Sequence, residues 1–366
     1  MSAAPRPSSP APAVRGGFLL AACQGGAESV LRLRQPAELP RARPAAWRRG
    51  VVTFRLEDGF DPPDDALPDL VFARTVIRCL GQVTGDSLPT LATRVAELAG
   101  AAAWQNVHAW ARDERAELPI AELRGLLLAR CQLPATTPPT ATPGDLVLDC
   151  VVDAADRCWV GWHRVATPAS GWPGGVYPGS LPADKVSRAW LKLDEAIATF
   201  AIPLQAGERA VELGAAPGGS CQRLLESGLS VVGIDPAVIA ESVTSHPQFA
   251  HWRMRSRDVR LRAFRGFDWV VADMNIDPVS TMEALTRVVT APLCRPQGII
   301  ATLKLPEWSR ADALDAWLAT FAGWGFVPRA RQLSTGGREL CVVALRPAGS
   351  PRVSRRRRPA RRRPAP

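Results

Sequence analysis

Lysine is the rare basic residue of this chain, and two of its positions could carry proton chemistry. The 366 residues include 42 arginines but only three lysines, Lys185, Lys192 and Lys304. A guanidinium is effectively always protonated, whereas a desolvated amine, or one close to another cation, can lose its proton and act as a base. Lys192 lies in SRAWLKLDEA and Lys304 in the apolar run IIATLKLP. Both are candidate proton-handling residues, with chance retention of solvated lysines as the alternative. Lys185 lies in the linker and can be either an ordinary surface residue or an RNA contact.

Two carboxylates border apolar runs that should be buried. Asp273 closes the run WVVAD, and Glu339 opens the run ELCVVAL. A carboxylate at the end of a buried run needs a polar partner. If these runs end on the same side of one sheet, the two carboxylates and the two lysines would satisfy one another and form a proton-handling cluster.

A loop of small residues follows the first strand of the C-terminal half. The run VELGAAPGG, from Val211 to Gly219, leads directly into a helix pattern, and small residues let a backbone turn tightly and approach a ligand. Asp235, roughly 20 residues further on, ends the next strand, where a carboxylate can bind ribose hydroxyls. The G-x-G-x-x-G pattern that seats a pyrophosphate is missing. The loop therefore favours an adenosyl amino acid over a dinucleotide, with a purely structural turn as the alternative.

Two further positions concern strand ends. Asp258, in SRDVR, lies where an acid at the end of a third strand could contact an adenine. A solvent-exposed surface aspartate would show the same sequence pattern. Pro306 directly follows TLKL and restricts the residue before it to extended geometry. Lys304 is therefore expected at the tip of a strand, where ligands of parallel sheets bind.

The elements that must position these residues form repeated strand-then-helix units after residue 185. The units are RAVELG with SCQRLLESG, SVVGID with AVIAESV, FDWVVADM with STMEALTRVVTAPL, and GIIATLKL with ADALDAWLATFAGWG, and they end in the strand ELCVVALRP. Short apolar strands alternating with helices predict a mostly parallel, doubly wound α/β sheet.

The N-terminal half has a different pattern. Over residues 16–166, short apolar strands alternate with helix patterns such as LPTLATRVAELAGAAA and IAELRGLLLARC, and LPDLVFARTVIRCL also reads as a helix. This mixture predicts an α+β region that binds rather than catalyses. Glycine and proline crowd residues 167–185, which predicts a linker. Residues 1–15 are expected to form a disordered leader, and residues 348–366 a disordered, arginine-rich tail.

Charge and cysteine usage limit the partners and the compartment. The net charge is +10, but eight arginines after residue 348 leave residues 1–348 with only +2. Nucleic-acid affinity of the body would therefore depend on local patches, while the tail, if it is more than a solubilising extension, adds salt-sensitive attraction to phosphates. Eight scattered cysteines favour buried, reduced thiols over disulfides or zinc. The sequence shows neither a secretory signal nor a membrane-spanning run, so cytoplasm is the default.

In these motifs the chain resembles the FtsJ-type ribose methyltransferases, which share a Lys-Asp-Lys-Glu tetrad, and within them the ribosomal large-subunit RNA methyltransferase M (RlmM) family. The resemblance is strong over residues 181–345 and looser over residues 16–165. The matching segments, in order, are LVFAR, LPADKVSRAWLKLDEA, VELGAAPGG, VVADM, TLKLP and ARQL followed by RELCVV.

The resemblance implies a Rossmann-like methyltransferase domain over residues 186–347, behind an RNA-capturing region with a THUMP-like module. It implies S-adenosylmethionine as cofactor and RNA as substrate, most specifically a cytidine of 23S ribosomal RNA, presented free or in a pre-ribosomal particle. It implies no metal and no membrane partner. The catalytic residues carried over are Lys304 as proton acceptor with Lys192, Asp273 and Glu339 around the target hydroxyl. The cofactor contacts carried over are Ser187, Gly214, Ala216, Pro217, Gly218, Gly219, Asp235, Asp258 and Asp273. Glu212 departs from the family, which has aspartate there.

Three other functions compete with this reading. A base methyltransferase would carry an Asn/Asp-Pro-Pro-aromatic string where this chain has DMNI. An RNA-binding assembly factor could keep the fold without turnover, although the retained tetrad argues against it. A small-molecule methyltransferase would leave the basic tail unexplained.

Overall fold

A computed structural model describes residues 16–113 and 115–347, together with Pro12 and Gly349. The predicted leader and tail, apart from those two single residues, lie outside the described residues. Within the described part, no helix is both long and apolar enough to span a membrane. All eight cysteines are free thiols and seven are buried, as expected.

The N-terminal half builds a seven-stranded sheet. The strands are β1 (Phe18–Cys23), β2 (Ala42–Arg48), β3 (Val51–Leu56), β4 (Ala73–Thr84), β5 (Asn106–Ala111), β6 (Leu146–Ala154) and β7 (Arg157–Arg164). Their order is β2-β3-β1-β4-β7-β6-β5, and each pairing is antiparallel except that of β5 with β6. The helices of this half are α1 (Glu28–Glu38), α2 (Leu88–Ala99) and α3 (Ile120–Arg130). Leu91 and Val95 of α2 share a buried core with Leu123 of α3 and Trp162 of β7.

The helix predicted for LPDLVFARTVIRCL is wrong. Residues 67–72 have no regular secondary structure, and the rest of the run forms β4, which pairs with β1 on one side and with β7 on the other. Seven successive residues of β4, from Ala73 to Cys79, are buried. A strand buried on both faces shows a continuous apolar run instead of alternation, so periodicity alone cannot separate it from a buried helix.

The segment predicted as a linker packs on this sheet over its first half. Two short 3₁₀ turns, Ala169–Gly171 and Pro173–Gly175, flank Trp172, which is buried. Gly175 has φ +66°, and a Cβ there would lie 2.2 Å from the carbonyl oxygen of Arg74 in β4. Glycine is therefore required at this position by both the backbone geometry and the close approach.

The C-terminal half builds a second seven-stranded sheet of the predicted α/β class. Its strands are β8 (Arg209–Leu213), β9 (Ser230–Ile234), β10 (Phe249–Trp252), β11 (Trp269–Ala272), β12 (Gly298–Lys304), β13 (Val327–Arg331) and β14 (Glu339–Leu345). Their order is β10-β9-β8-β11-β12-β14-β13, and the first four pairings in that order are parallel. The helices are α4 (Arg188–Phe200), α5 (Gly219–Glu226), α6 (Glu241–Thr244), α7 (Pro278–Val289) and α8 (Leu314–Gly323).

The chain divides into two compact units that are not continuous in sequence. The first unit contains the described residues up to Pro203, together with Lys304–Ala313 and Ala330–Cys341. The second contains Leu204–Leu303, Leu314–Arg329 and the described residues from Val342 onward. Lys192, Lys304 and Glu339 therefore belong to the first unit, and the small-residue loop belongs to the second.

Candidate active site

One carboxylate bridges two lysines in the first unit. Lys304 Nζ donates a hydrogen bond to Glu339 Oε2 at 2.5 Å, and Lys192 Nζ lies 3.2 Å from Glu339 Oε1. The side chains are 22%, 16% and 11% exposed for Lys304, Lys192 and Glu339, respectively. The cluster is therefore mostly desolvated yet open to solvent, as a proton-handling site requires.

The backbone explains why Lys304 and Glu339 meet. Lys304 is the last residue of β12, and Glu339 is the first residue of β14. The next amide, Leu305 N, donates to the carbonyl of Arg338, the residue before Glu339, at 2.7 Å. Pro306 has no N–H and cannot extend the strand. The end of β12 and the start of β14 are thus held side by side with their polar side chains together.

Helix α4 presents Lys192 to this carboxylate. Ser187 caps the helix, and its Oγ accepts a hydrogen bond from Ala189 N at 3.4 Å. The apolar face of the helix buries Leu193, Ala196 and Phe200, which fixes the orientation of the remaining faces. Ser187 is a predicted cofactor contact, and the structure places it, half-buried, at this cap.

Glu195 is a buried acid that the sequence analysis did not single out. It is 2% exposed and lies one helical turn after Lys192. Its carboxylate accepts four hydrogen bonds, from Ser334 N (2.7 Å), Ser334 Oγ (2.9 Å), Thr335 N (2.8 Å) and Thr335 Oγ1 (2.6 Å). The loop that leads into Glu339 is therefore fixed to the helix that carries Lys192.

A glutamine of the N-terminal half also holds this loop, through hydrogen bonds to its backbone carbonyls. Gln24, directly after β1, donates through Nε2 to the carbonyls of Leu333 at 2.5 Å and Gly336 at 3.0 Å. Its Oε1 accepts from Gln332 Nε2 at 3.2 Å. The only sequence signals for this network are the hydroxyl residues of QLSTGGREL and an acid three residues after Lys192, on the same helix face.

The small-residue loop belongs to the second unit and joins β8 to α5. Gly214 has φ +76°, and a Cβ there would lie 2.6 Å from Met274 Cγ. Gly218 has φ +117° and precedes α5, whose first residue is the buried Gly219. The positive φ favours glycine at both positions, and at 214 the close packing against Met274 favours it as well. Ala216 and Pro217 lie between them and keep this turn free of long side chains.

Asp235 braces this loop from the end of β9. Its carboxylate accepts hydrogen bonds from Ala216 N at 3.1 Å and from Ala237 N at 2.8 Å, and the residue is half-buried. A carboxylate has about four acceptor positions, so it can still accept bonds from ribose hydroxyls. A tight loop of small residues, a helix start and this acid together fit an adenosyl ligand that has no phosphates.

The two other predicted cofactor acids of this unit lie elsewhere on it. Asp273 directly follows β11 and is half-buried, as the sequence predicts for a strand-end residue. Asp258 ends the short 3₁₀ turn Ser256–Asp258 after β10 and is exposed. Within the described residues, no group of three or more histidine, cysteine or carboxylate side chains has the arrangement of a metal site.

The side chain of Glu212, the residue that departs from the family pattern, is buried in the protein. It is 2% exposed and accepts a hydrogen bond from Cys221 Sγ, on α5, at 2.8 Å. Burial raises the pKa of Glu212 to about 8, the Cys221 hydrogen bond opposes this rise, and the nearby negative charge of Asp273 adds to it. The longer acid thus connects β8 to α5 as a largely neutral group at pH 7.

This burial predicts a specific pH dependence of stability. Because the folded pKa lies above the unfolded value of 4.5, the contribution of Glu212 is complete below pH 4.5 and is lost as the pH rises through about 8. Glu212→Gln keeps an acceptor for Cys221 but cannot ionise. Between pH 5 and pH 8.5 the variant should therefore lose about 4 kcal/mol less stability than the unmodified chain. Urea unfolding at both pH values measures this difference, and parallel losses would show that Glu212 ionises normally.

Comparison with known proteins connects this geometry to a family. Residues 185–307, which contain Lys192, the small-residue loop, Asp273 and Lys304, match the family model described as FtsJ-like methyltransferase. This part of the chain is therefore similar to the FtsJ-like methyltransferases. The mixed α/β sheet order of the C-terminal half agrees with that similarity.

Proteins similar to this chain include curated ones named ribosomal RNA large subunit methyltransferase M. The protein of Laribacter hongkongensis is 33% identical over 199 residues, which cover 51% of this chain and 54% of that protein. The protein of Xylella fastidiosa strain 9a5c is 35% identical over 182 residues, covering 47% and 51%, respectively. The chain therefore spans about half the length of the curated relatives that it matches. Among solved structures, TrmN from Thermus thermophilus is 16% identical with a TM-score of 0.33, covering 90% of this chain and 99% of that chain.

Proposed function

We propose that this protein transfers a methyl group from S-adenosylmethionine to a ribose 2′-hydroxyl of RNA, specifically of a cytidine in 23S ribosomal RNA. The observation that carries the proposal is the Glu339 carboxylate bridging Lys192 and Lys304 in a chain that is similar to the FtsJ-like methyltransferases over residues 185–307. The relatives named for ribosomal RNA methylation support the choice of RNA.

A 2′-hydroxyl is a weak acid, so the chemistry needs a proton acceptor and a cation beside the oxygen. Lys304, in its neutral form, takes the hydroxyl proton as the oxygen attacks. Lys192, as the cation, stabilises the negative charge that develops on that oxygen. Glu339 holds both amines in position, and Asp273 completes the proposed tetrad. S-adenosylmethionine, when bound, supplies an electrophilic methyl group on a sulfonium sulfur.

The cofactor is proposed to bind at the loop Gly214 to Gly219, with Asp235 on its ribose hydroxyls. Ser187, Asp258 and Asp273 are proposed as further contacts. Asp235→Ala should weaken S-adenosylmethionine binding about tenfold or more, because it removes both the ribose acceptor and the brace on Ala216 N. Isothermal titration calorimetry with the cofactor measures this. An affinity within twofold of the unmodified chain would place the cofactor elsewhere.

The domain roles follow the same proposal. Residues 16–166 form an RNA-binding region with a THUMP-like module. Residues 167–185 link this region to residues 186–347, which carry the transfer chemistry. The arginine-rich tail after residue 347 adds attraction to phosphates. We place the activity in the cytoplasm because all eight cysteines are free thiols.

The experiment is transfer of tritium from methyl-labelled S-adenosylmethionine to 23S ribosomal RNA, followed by alkaline hydrolysis. A 2′-O-methyl group blocks alkaline cleavage at its own nucleotide, so the label should appear in alkali-stable dinucleotides that contain cytidine. Label in mononucleotides would instead identify a base methyltransferase. RNA binding without any transfer would identify an assembly factor that lacks turnover.

A further inference from the structure

A row of exposed side chains crosses three neighbouring strands at one margin of the N-terminal sheet. Arg43 of the edge strand β2 is the direct cross-strand partner of Arg55 in β3, and Arg55 is the direct partner of Phe18 in β1. Directly paired residues of neighbouring strands project to the same face of a sheet. We call this set, Arg43, Arg55 and Phe18, the Arg-Arg-Phe row.

The two arginines of the row face each other without a counter-ion. Among the described residues, no carboxylate lies within 4.0 Å of either guanidinium, although the nearby Arg41 and Arg48 each have an acidic partner, Glu57 and Asp153, respectively. Like charges directly opposite each other on neighbouring strands are destabilising. An anion bound across both guanidinium groups would relieve this repulsion.

The inner end of the row is an exposed aromatic ring. Phe18 is 39% exposed, whereas the five residues that follow it in β1 are fully buried. The register places Arg48, which is 57% exposed, on the same face, four cross-strand pairs along from Arg43. A surface with unpaired cations beside an exposed aromatic ring is suited to single-stranded nucleic acid, because the cations bind phosphates and a base stacks on the ring.

The local charge also favours a polyanion. Residues 28–56 contain seven arginines and two glutamates, although residues 1–348 as a whole carry only +2. This stretch of sequence therefore carries a net charge of +5. An acidic protein surface would match the charge but would leave the position of Phe18 unexplained.

We propose that the Arg-Arg-Phe row binds single-stranded RNA, with Arg43 and Arg55 on successive phosphates and Phe18 stacked on a base. This inference rests on the proposed function for its choice of RNA. It names the part of the N-terminal region that holds a segment of the substrate strand. The row then acts in capture, and methyl transfer proceeds at the lysine cluster.

The test is the salt dependence of binding to a fluorescein-labelled oligouridylate of twelve nucleotides, measured by anisotropy with the full chain. Arg43→Gln/Arg55→Gln should lower affinity several-fold and reduce the slope of log affinity against log salt by about 1.4, the value for two lost phosphate contacts on a single strand. The thermal midpoint should be equal or higher, because the like-charge pair is gone. The arginine-rich tail contributes equally to both proteins, so the difference in slope isolates the row.

The matched control is Arg94→Gln/Arg130→Gln, which removes two exposed arginines from α2 and α3 of the same unit. This control should keep the slope of the unmodified chain. Equal slopes for all three proteins, or equal reductions in both double variants, would overturn the proposal. An acidic protein partner for this face would give the first of those results.

Phe18 provides an independent readout. Phe18→Ala should lower affinity for the oligouridylate about tenfold with little change in the salt slope, and Phe18→Trp should retain binding, since a larger ring still stacks. If Phe18→Ala binds as tightly as the unmodified chain, the stacking role is excluded. Measuring methyl transfer with the same proteins distinguishes a failure of the proposed function from a failure of the Arg-Arg-Phe row. Absence of transfer by the unmodified chain removes the proposed function, whereas normal transfer with unaffected binding in the variants removes only the row.

Discussion

Lys304→Ala is expected to slow methyl transfer to RNA about 10²–10⁴-fold while S-adenosylmethionine affinity stays within about twofold. The loss follows from removing the group that accepts the hydroxyl proton. The cofactor should still bind, because the small-residue loop and Asp235 belong to the second unit, where their hydrogen bonds do not involve Lys304. Single-turnover tritium transfer and calorimetry with the cofactor measure the two quantities.

Lys304→Arg separates proton acceptance from charge. Arginine can keep an ion pair with Glu339 but stays protonated, so it cannot serve as a base. This variant should therefore be nearly as slow as Lys304→Ala. The matched control is Lys185→Ala, which removes a lysine that pairs with Asp184 outside the cluster. Near-normal transfer by Lys304→Ala, or recovery in Lys304→Arg, would show that Lys304 does not accept the proton.

Glu195→Ala is expected to cost about 3 kcal/mol of stability and to lower kcat more than it changes KM for RNA. The carboxylate is buried and accepts from two backbone amides and two hydroxyls, and buried donors left without acceptors are costly. Those amides belong to the loop that enters Glu339, so releasing them should misplace the carboxylate that holds both lysines.

The measurements for Glu195 are urea unfolding and steady-state kinetics. Glu195→Asp keeps the charge and part of the hydrogen bonding, so it should recover part of both losses, which a simple loss of packing would not predict. Glu97→Ala is the control, since it makes the same change at an exposed position on α2 of the same unit. A normal kcat in a destabilised Glu195→Ala would reduce Glu195 to a purely structural residue.

The positions of the candidate site residues along the chain could be predicted because they depend on local patterns. An apolar run ending in Lys304-Leu-Pro defines a strand tip, and a small-residue run after VEL defines a loop before a helix. The acids Asp235 and Asp273 follow short apolar strands, as the α/β pattern requires. Each of these inferences needs only a few neighbouring residues.

The hydrogen bonds that hold the candidate site in place could not be predicted, because they join residues far apart in the chain. Glu195 reaches a loop 139 residues later, and Gln24 reaches the same loop 309 residues later. No periodicity encodes such pairings. Strands β10 and β13 were also missed, since FAHW is short and VPRAR is largely polar, so neither shows the apolar run of a central strand.

The central claim, ribose methylation of 23S ribosomal RNA that depends on Lys304, is tested most directly by mapping 2′-O-methyl groups in that RNA. The RNA would come from cells with this gene, without it, and with the Lys304→Ala form expressed at the same level. We predict one cytidine whose 2′-O-methyl group is present with the unmodified gene and absent in the other two cases. An identical set of 2′-O-methyl groups in all three would contradict the account.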